Sequence, residues 1–168
     1  MVVSTAIPRT NVELVEAQRL EIPILHRSVV LNELIAGMRT IGVTGTHGKG
    51  TVSSMIAWIL ECAGWDPGFI IGGMLQNFGT NSRAGAGRWM VVEIDESDGS
   101  HANVNVDYVV CNFLEPDHLN YYRDWDDIIE KMQTFLEEND GLLDVFLNLD
   151  CSGNRRLAER LQLSLIHI

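Results

Sequence analysis

Three short runs in this chain contain residue types that bind phosphates and divalent cations, and each run follows an apolar stretch. The first is Gly45-Thr46-His47-Gly48-Lys49, a glycine-rich turn that ends in a lysine. Glycine lets a backbone approach an anion closely, and free N–H groups at a helix start bind phosphate oxygens. Lys49 adds a positive charge that reaches the β- and γ-phosphates of a nucleotide. The run predicts a phosphate-binding loop, the alternative being an ordinary turn between a strand and a helix.

The residue after Lys49 departs from the usual phosphate-loop pattern. Serine or threonine normally follows the lysine and binds Mg²⁺, whereas this chain has Gly50, which offers no side-chain oxygen. We predict that Thr51 supplies the magnesium ligand instead. The alternative is that a water replaces the hydroxyl and Thr51 only caps the helix. Lys49 is expected to be exposed in its loop. The predicted nucleotide-binding residues are Gly45, Thr46, His47, Gly48, Lys49, Gly50 and Thr51.

The second run is acidic, Glu93-Ile94-Asp95-Glu96-Ser97-Asp98, and lies at the end of an apolar strand. Ligands of open parallel sheets bind beyond the carboxyl ends of the strands. Mg²⁺ prefers oxygen ligands and keeps waters and substrate phosphates as well. Glu93 is the predicted magnesium ligand, because it lies within the apolar strand and a buried carboxylate needs a partner. The alternative for the run, and above all for Asp98, is a solvated acidic turn.

The third run, Glu115-Pro116-Asp117-His118, also comes after an apolar strand. His118 is predicted to bind a second cation or a phosphate, because it follows a strand at the same sheet edge as the other two runs. The alternative is an ordinary surface histidine.

The elements that position these runs follow the pattern of an α/β protein. Apolar runs of strand length alternate with amphipathic helices, which predicts a mostly parallel, doubly wound sheet. A glycine-rich polar stretch over 77–88 predicts a loop. The predicted strands of this region are 40–44, 68–71, 89–94, 107–112 and 145–149. The predicted helices are 51–63, 125–138 and 154–161.

Composition excludes several classes of protein. The chain has 168 residues and a net charge of −11, which argues against a nucleic-acid partner bound through phosphate neutralisation. No apolar run is long enough to cross a bilayer, and a signal peptide is not apparent. The three cysteines, Cys62, Cys111 and Cys151, have no metal-site spacing. We expect a cytoplasmic protein without membrane insertion.

Three segments are predicted along the chain. Residues 1–39 contain short helices around a strand-like stretch and are interpreted as the end of a preceding domain with its linker. Residues 40–162 form the phosphate-loop domain, which is expected to continue beyond this sequence. Residues 163–168, Leu-Ser-Leu-Ile-His-Ile, resemble a translated sequencing adapter and are interpreted as a non-native tail. The alternative is the start of a strand.

Together the three runs resemble the Mur ligases of bacterial cell-wall synthesis. The resemblance rests on G-T-H-G-K at 45–49, E-I-D-E-S-D at 93–98 and E-P-D-H at 115–118. It extends to S-T-A-I-P-x-x-N at 4–11 and I-P-I-L-H-R at 22–27, which are similar to the end of the family's UDP-sugar-binding domain. The family's loop continues with threonine after the lysine, so Gly50 is the departure. G-K-G-T is instead similar to G-K-G-S of the folylpolyglutamate synthases, which share the central fold.

The resemblance implies a three-domain, ATP-dependent ligase whose central domain is this chain. Lys49 would hold the ATP phosphates, Glu93 one Mg²⁺ and His118 a second. The reaction implied joins L-alanine to UDP-N-acetylmuramate through an acyl phosphate, a step of peptidoglycan precursor synthesis. Asn81 and Arg83 are predicted to contact the UDP-sugar, a solvated loop being the alternative. A folylpolyglutamate-synthase-like ligase and a non-catalytic nucleotide-binding module remain as alternatives, and the isolated chain is expected to be inactive.

Overall fold

The computed structural model describes residues 1–97, 99–117 and 122–161. The described strands are β1 (Val2–Val3), β2 (Leu25–His26), β3 (Arg39–Thr44), β4 (Gly68–Leu75), β5 (Thr80–Arg83), β6 (Trp89–Glu93), β7 (Tyr108–Cys111) and β8 (Asp144–Leu147). The described helices are α1 (Val12–Arg19), α2 (Arg27–Ile35), α3 (Lys49–Cys62), α4 (Trp125–Glu137) and α5 (Ser152–Leu161), with a 3₁₀ turn at Ser100–Asn103.

Six strands form the main sheet in the order β5-β4-β6-β3-β7-β8. Five of them are parallel, and β5 pairs antiparallel with β4. Strand β3 lies in the middle, with Val43 opposite Glu93 of β6 and Thr44 opposite Cys111 of β7. The carboxyl ends of β6, β3 and β7 therefore meet at one edge. The predicted mostly parallel α/β sheet is confirmed.

Helices cover both faces of this sheet, as a doubly wound fold requires. One face packs against α3, through Ala57 of the helix and Phe69 and Val91 of the strands. The other face packs against α4 and α5, where Ile129 and Leu157 are fully buried. Burial of each such side chain contributes about 1.5–3 kcal/mol. These continuous apolar strands are the ones that the sequence predicted.

The loop predicted over 77–88 was wrong in part, because β5 (Thr80–Arg83) lies inside it. Gly79 has φ 67° and its N–H donates to the Leu75 carbonyl at 2.8 Å, which turns the chain back along β4. Strand β5 ends the sheet, so polar side chains are tolerated on it. A search for apolar runs cannot detect such a strand.

In the first 38 residues, β1 and β2 pair in parallel and form a separate two-stranded sheet. Helix α2 packs its Ile35 and Leu31 onto the core of the main sheet, and Ile35 is only 2% exposed. The division of the chain at residue 39 stays a prediction, and α2 shares the core of the main sheet.

Asp98, His118 and the predicted tail at 163–168 lie outside the described residues. Among the helices that are described, none is both long and apolar enough to cross a membrane.

Candidate nucleotide-binding site

The phosphate loop connects the central strand β3 to α3. Gly48 is the residue that caps α3, with φ 80°, and it has no side chain to occupy the N–H groups of the first turn. Gly45 has φ 118°, and a Cβ built there would lie 2.5 Å from the Phe113 carbonyl oxygen. Glycine is therefore required at Gly45 for both conformation and space. The loop presents its free helix N–H groups at the sheet edge, as an anion site requires.

The segment after β7 holds this loop in place. The Thr46 N–H donates to the Phe113 carbonyl at 2.6 Å, and the Glu115 N–H donates to the Thr46 hydroxyl at 2.9 Å. The Asn112 amide donates to the His47 carbonyl at 3.1 Å. Strand β7 is anchored in turn by Asn154 of α5, whose amide donates to the Cys111 and Asn112 carbonyls. The third predicted run thus contacts the first through its described residues.

Lys49 is the first residue of α3, and its side chain is only 14% exposed. Its ammonium donates to both carboxylate oxygens of Glu96, at 2.9 and 3.2 Å, and to the Gly45 carbonyl at 2.8 Å. The expectation that Lys49 is exposed in a loop was therefore wrong. The reason is that the acidic run turns back under the phosphate loop after β6 and brings Glu96 to the lysine.

Glu96 is a buried carboxylate with a side-chain exposure of 2%. Burial raises its pKa above the ordinary value, and the hydrogen bonds and charge of Lys49 oppose that rise. The Tyr122 hydroxyl donates to the Glu96 backbone carbonyl, which fixes the turn that carries the side chain. The site therefore contains a fixed buried ion pair at the base of the phosphate loop.

Glu93 ends β6 beside the first turn of α3. Its carboxylate accepts the Gly72 N–H at 3.0 Å. A Cβ built on Gly50 would lie 3.4 Å from one Glu93 carboxylate oxygen, and one built on Gly72 would lie 3.2 Å from the other. Two glycines thus leave open space on the carboxylate. A partly exposed carboxylate beside a phosphate loop is what a Mg²⁺ ion shared with nucleotide phosphates requires, so this residue fits the predicted metal.

The position that faces Glu93 is Gly50, whereas Thr51 is exposed. Gly48 occupies the capping position, so the alternative role of Thr51 as the helix cap does not apply. Thr51 as a magnesium ligand stays a prediction.

His118 lies outside the described residues, and its role stays a prediction. His47 is exposed, with its ring 3.6 Å from the Glu115 carboxylate. Within the described ranges, no three histidine, cysteine or acidic side chains are grouped as a metal site.

The predicted sugar contacts, Asn81 and Arg83, lie on β5. Arg83 pairs with Phe69 at the start of β4, away from the edge that carries Lys49, and its guanidinium bonds Glu61 at 2.5 Å. Hydrogen bonding to Glu61 raises the pKa of Arg83. Asn81 is exposed. The structure thus holds the Arg83 side chain at the far end of β4 and leaves Asn81 exposed, and their contact with a sugar stays a prediction.

Two residues of this site, Glu96 and Asn112, were not singled out in the sequence analysis. Glu96 belongs to a run with several carboxylates, and only the fold shows which one turns inward. Asn112 directly follows an apolar strand next to the phosphate loop, and that position was the available signal.

A central strand, a glycine-rich loop, a lysine at the helix start and a carboxylate on the neighbouring strand define a phosphate-loop α/β domain. The chain belongs to the Mur ligase family: residues 43–166 match the Mur ligase middle domain.

Individual relatives agree with this assignment. The chain is 42% identical over 137 residues to the UDP-N-acetylmuramate–L-alanine ligase of Methylocella silvestris. The aligned residues cover 82% of this chain and 29% of that protein. The chain thus spans less than a third of the length of that relative.

Solved structures share the fold. The UDP-N-acetylmuramate:L-alanyl-γ-D-glutamyl-meso-diaminopimelate ligase of Neisseria meningitides aligns with a TM-score of 0.82 at 26% identity, over 95% of this chain and 55% of that one. A MurF ligase from Thermotoga maritima in complex with ADP aligns with a TM-score of 0.62 at 17% identity, over 80% of this chain and 34% of that one. At that identity the second likeness concerns the fold alone.

Proposed function

We propose that this chain is the nucleotide-binding part of a cytoplasmic, ATP-dependent ligase that joins L-alanine to UDP-N-acetylmuramate in peptidoglycan precursor synthesis. The observation that carries the proposal is the phosphate loop with Lys49 at its base and Glu93 beside its helix. The name of the Methylocella relative supports the two substrates, and the phosphate loop with its lysine supports the nucleotide.

The proposed reaction has two steps. A carboxylate oxygen of the muramoyl group attacks the γ-phosphorus of ATP, the bond to the β-phosphate oxygen breaks, and an acyl phosphate and ADP form. The amine of L-alanine then attacks the acyl carbon. The tetrahedral intermediate expels phosphate, and the nitrogen loses a proton to give the amide. No side-chain nucleophile is needed, so catalysis rests on positioning and charge.

The residues of this chain have matching roles in the proposal. The N–H groups of the loop and of the first turn of α3 bind phosphate oxygens, and Lys49 offsets the charge of the transferring phosphoryl group. Glu93, Thr51 and His118 are the proposed holders of magnesium. When bound, Mg²⁺ supplies Lewis-acid charge to phosphate oxygens. The enclosed position of Lys49 strengthens its electrostatic effect, because little solvent screens it.

The test is ATP-dependent phosphate release by the full-length gene product with UDP-N-acetylmuramate and a choice of amines. L-Alanine is offered first. The tripeptide L-alanyl-γ-D-glutamyl-meso-diaminopimelate is offered in parallel, because the Neisseria structure is of a ligase named for that amine. Reactions without amine and with a folate acceptor plus glutamate are the controls.

We expect phosphate release that requires both UDP-N-acetylmuramate and L-alanine. Release with the tripeptide but not with L-alanine would refute the proposed amine and keep the acceptor. Release with the folate pair would assign the alternative ligase. ADP binding without turnover under any condition would leave a nucleotide-binding module.

A further inference from the structure

The Lys49 ammonium is hydrogen-bonded to protein groups at the base of the phosphate loop. An ammonium has three N–H donors. In this structure they face three acceptor oxygens, the Gly45 carbonyl and the two oxygens of Glu96, all within 3.2 Å. A phosphate that binds Lys49 must therefore share or displace one of these hydrogen bonds.

Glu96 is positioned to keep its hydrogen bonds to Lys49 when a phosphate binds. Its side chain is 2% exposed, whereas that of Lys49 is 14% exposed, so Glu96 lies on the inner side of the pair. The Tyr122 hydroxyl holds the backbone carbonyl of Glu96. The approach of a nucleotide is thus open to Lys49 and closed to Glu96.

The charge of Glu96 has two opposite consequences for a bound nucleotide. It holds the ammonium in one place, which favours an electrostatic effect that depends on preorganised charge. It also puts a negative charge close to the phosphates, in surroundings where little solvent screens it. Holding the ammonium in place stabilises the transition state, whereas the nearby negative charge weakens nucleotide binding.

We propose that Glu96 is a positioning residue for phosphoryl transfer, which holds the Lys49 ammonium in place for the reaction and weakens nucleotide affinity in return. This inference rests on the proposed function, because it assumes that Lys49 acts on the transferred phosphoryl group. Glu96 acts through Lys49 and contacts no substrate.

Two substitutions separate charge from position. Glu96→Gln keeps the shape and one acceptor oxygen and removes the charge. Glu96→Asp keeps the charge and withdraws it by one methylene group. Glu130→Gln is the matched control, because it removes one carboxylate charge from a side chain of α4 that is 64% exposed. The measurements are the Kd of ADP for the 168-residue chain and kcat and KM of the full-length gene product.

For Glu96→Gln we expect the Kd of ADP to fall at least threefold and kcat to fall at least tenfold. For Glu96→Asp we expect the Kd to stay within threefold and kcat to fall at least tenfold. Glu130→Gln should change neither quantity more than twofold. If Glu96 only stabilised the loop structure, Glu96→Gln would disorder the loop and weaken ADP binding, so the Kd of ADP would rise instead of falling.

A Kd for Glu96→Gln that is unchanged or raised overturns the proposal, as does a kcat above one tenth of the wild-type value. If Glu96→Gln does not fold, Glu96→Asp decides, and a kcat above one tenth of the wild-type value or a Kd changed by more than threefold overturns the proposal. If the wild-type gene product ligates no amine, the proposed function has failed, and the ADP affinity of the two variants alone decides whether Glu96 competes for Lys49.

Discussion

The Lys49 side chain is only 14% exposed, and in our proposal it also binds the phosphates of a nucleotide that enters from solvent. The neighbouring Glu96 makes this possible, because a buried ammonium needs a compensating charge. Functional and structural roles of Lys49 are therefore coupled, and a substitution there affects both.

We expect Lys49→Met in the full-length gene product to lower ATP-dependent turnover by about 10²–10³-fold. Loss of one fixed charge that stabilises a transition state costs about 2.7–4 kcal/mol. Phosphate release at saturating substrate measures the effect. Turnover within a factor of two of wild type would contradict the role of Lys49.

The same substitution should have a pH-dependent cost in stability. Lys49→Met leaves Glu96 buried without its cation, and breaking such a pair costs about 3 kcal/mol, or about 6–12 °C in Tm. Burial already raises the pKa of Glu96 above its ordinary 4.5, and loss of Lys49 raises that pKa further.

A carboxyl with a raised pKa in the folded state contributes stability below its unfolded pKa and loses it as pH rises through the folded pKa. The Tm deficit of Lys49→Met should therefore be small at or below pH 4.5 and grow above it. The double variant Lys49→Met/Glu96→Gln should recover most of the Tm at neutral pH without recovering turnover. A deficit that is constant with pH would show that Glu96 stays uncoupled from Lys49.

Thr51 is predicted to be a magnesium ligand, and the alternative is that a water takes this position. Gly50 faces Glu93 and Thr51 is exposed, so a metal held by Thr51 requires the first turn of α3 to adjust. We expect Thr51→Ala to raise the Mg²⁺ concentration needed for half-maximal turnover severalfold, and to weaken the effect of Mg²⁺ on ADP binding by the 168-residue chain. Thr134→Ala, which removes an exposed threonine hydroxyl from α4, is the matched control. An unchanged Mg²⁺ requirement in Thr51→Ala would assign the ligand position to water.

At the scale of elements, helix α5 supports the strand end and the segment that hold the phosphate loop. Asn154 is fully buried, and its amide donates to carbonyls at the carboxyl ends of β7 and β8, at 2.9 Å for Cys111 and 3.1 Å for Asn148. Its own carbonyl accepts the Cys111 thiol, whose pKa burial raises to about 12. The Asn154 side chain thus fixes the end of β7, and the segment that holds the phosphate loop begins there.

We expect Asn154→Ala to lower the free energy of unfolding by about 3 kcal/mol, because buried carbonyls left without donors each cost about 1–3 kcal/mol. Thermal unfolding of the 168-residue chain measures the loss. Asn77→Ala, at an exposed asparagine, should change the free energy by less than about 0.5 kcal/mol. A similar loss in both variants would contradict the anchoring role of Asn154.

Elements with local signals were predictable from the sequence, and those set by tertiary context were not. Strand β6 and the phosphate loop follow from an apolar run and from glycine and lysine spacing. Strand β5 escaped prediction because an edge strand carries polar side chains. Glu93 was predictable from its place in an apolar strand, whereas Glu96 lies beyond the strand, where the turn of the chain decides which carboxylate is buried.

At the scale of the molecule, residues 1–38 contact the acidic run that carries Glu93 and Glu96. The Arg27 guanidinium donates to the Asp95 carboxylate at 2.8 Å, and the Asn103 amide donates to the Ser28 hydroxyl at 3.0 Å. A cavity of about 400 Å³ between α2 and the sheet edge extends to Glu93. The segment that precedes β3 therefore contacts the acidic run and lines, together with Glu93, a cavity beside the candidate site.

Our last prediction concerns the activity of the 168-residue chain by itself. Ligation requires three reactants to be held together, and most of the gain from such positioning is lost when any one is unbound. The chain spans 29% of the length of its Methylocella relative, and in our proposal other parts of the protein hold the sugar nucleotide and the amine. We expect the chain to bind ADP in a manner that depends on Lys49, and to form no ADP from ATP in response to L-alanine and UDP-N-acetylmuramate. Equilibrium titration with ADP, with Lys49→Met as control, measures the first property, and a coupled ADP assay beside the full-length gene product measures the second. Alanine-dependent ADP formation by the chain alone would show that both substrates bind within residues 1–168, and that the predicted division of the protein is wrong.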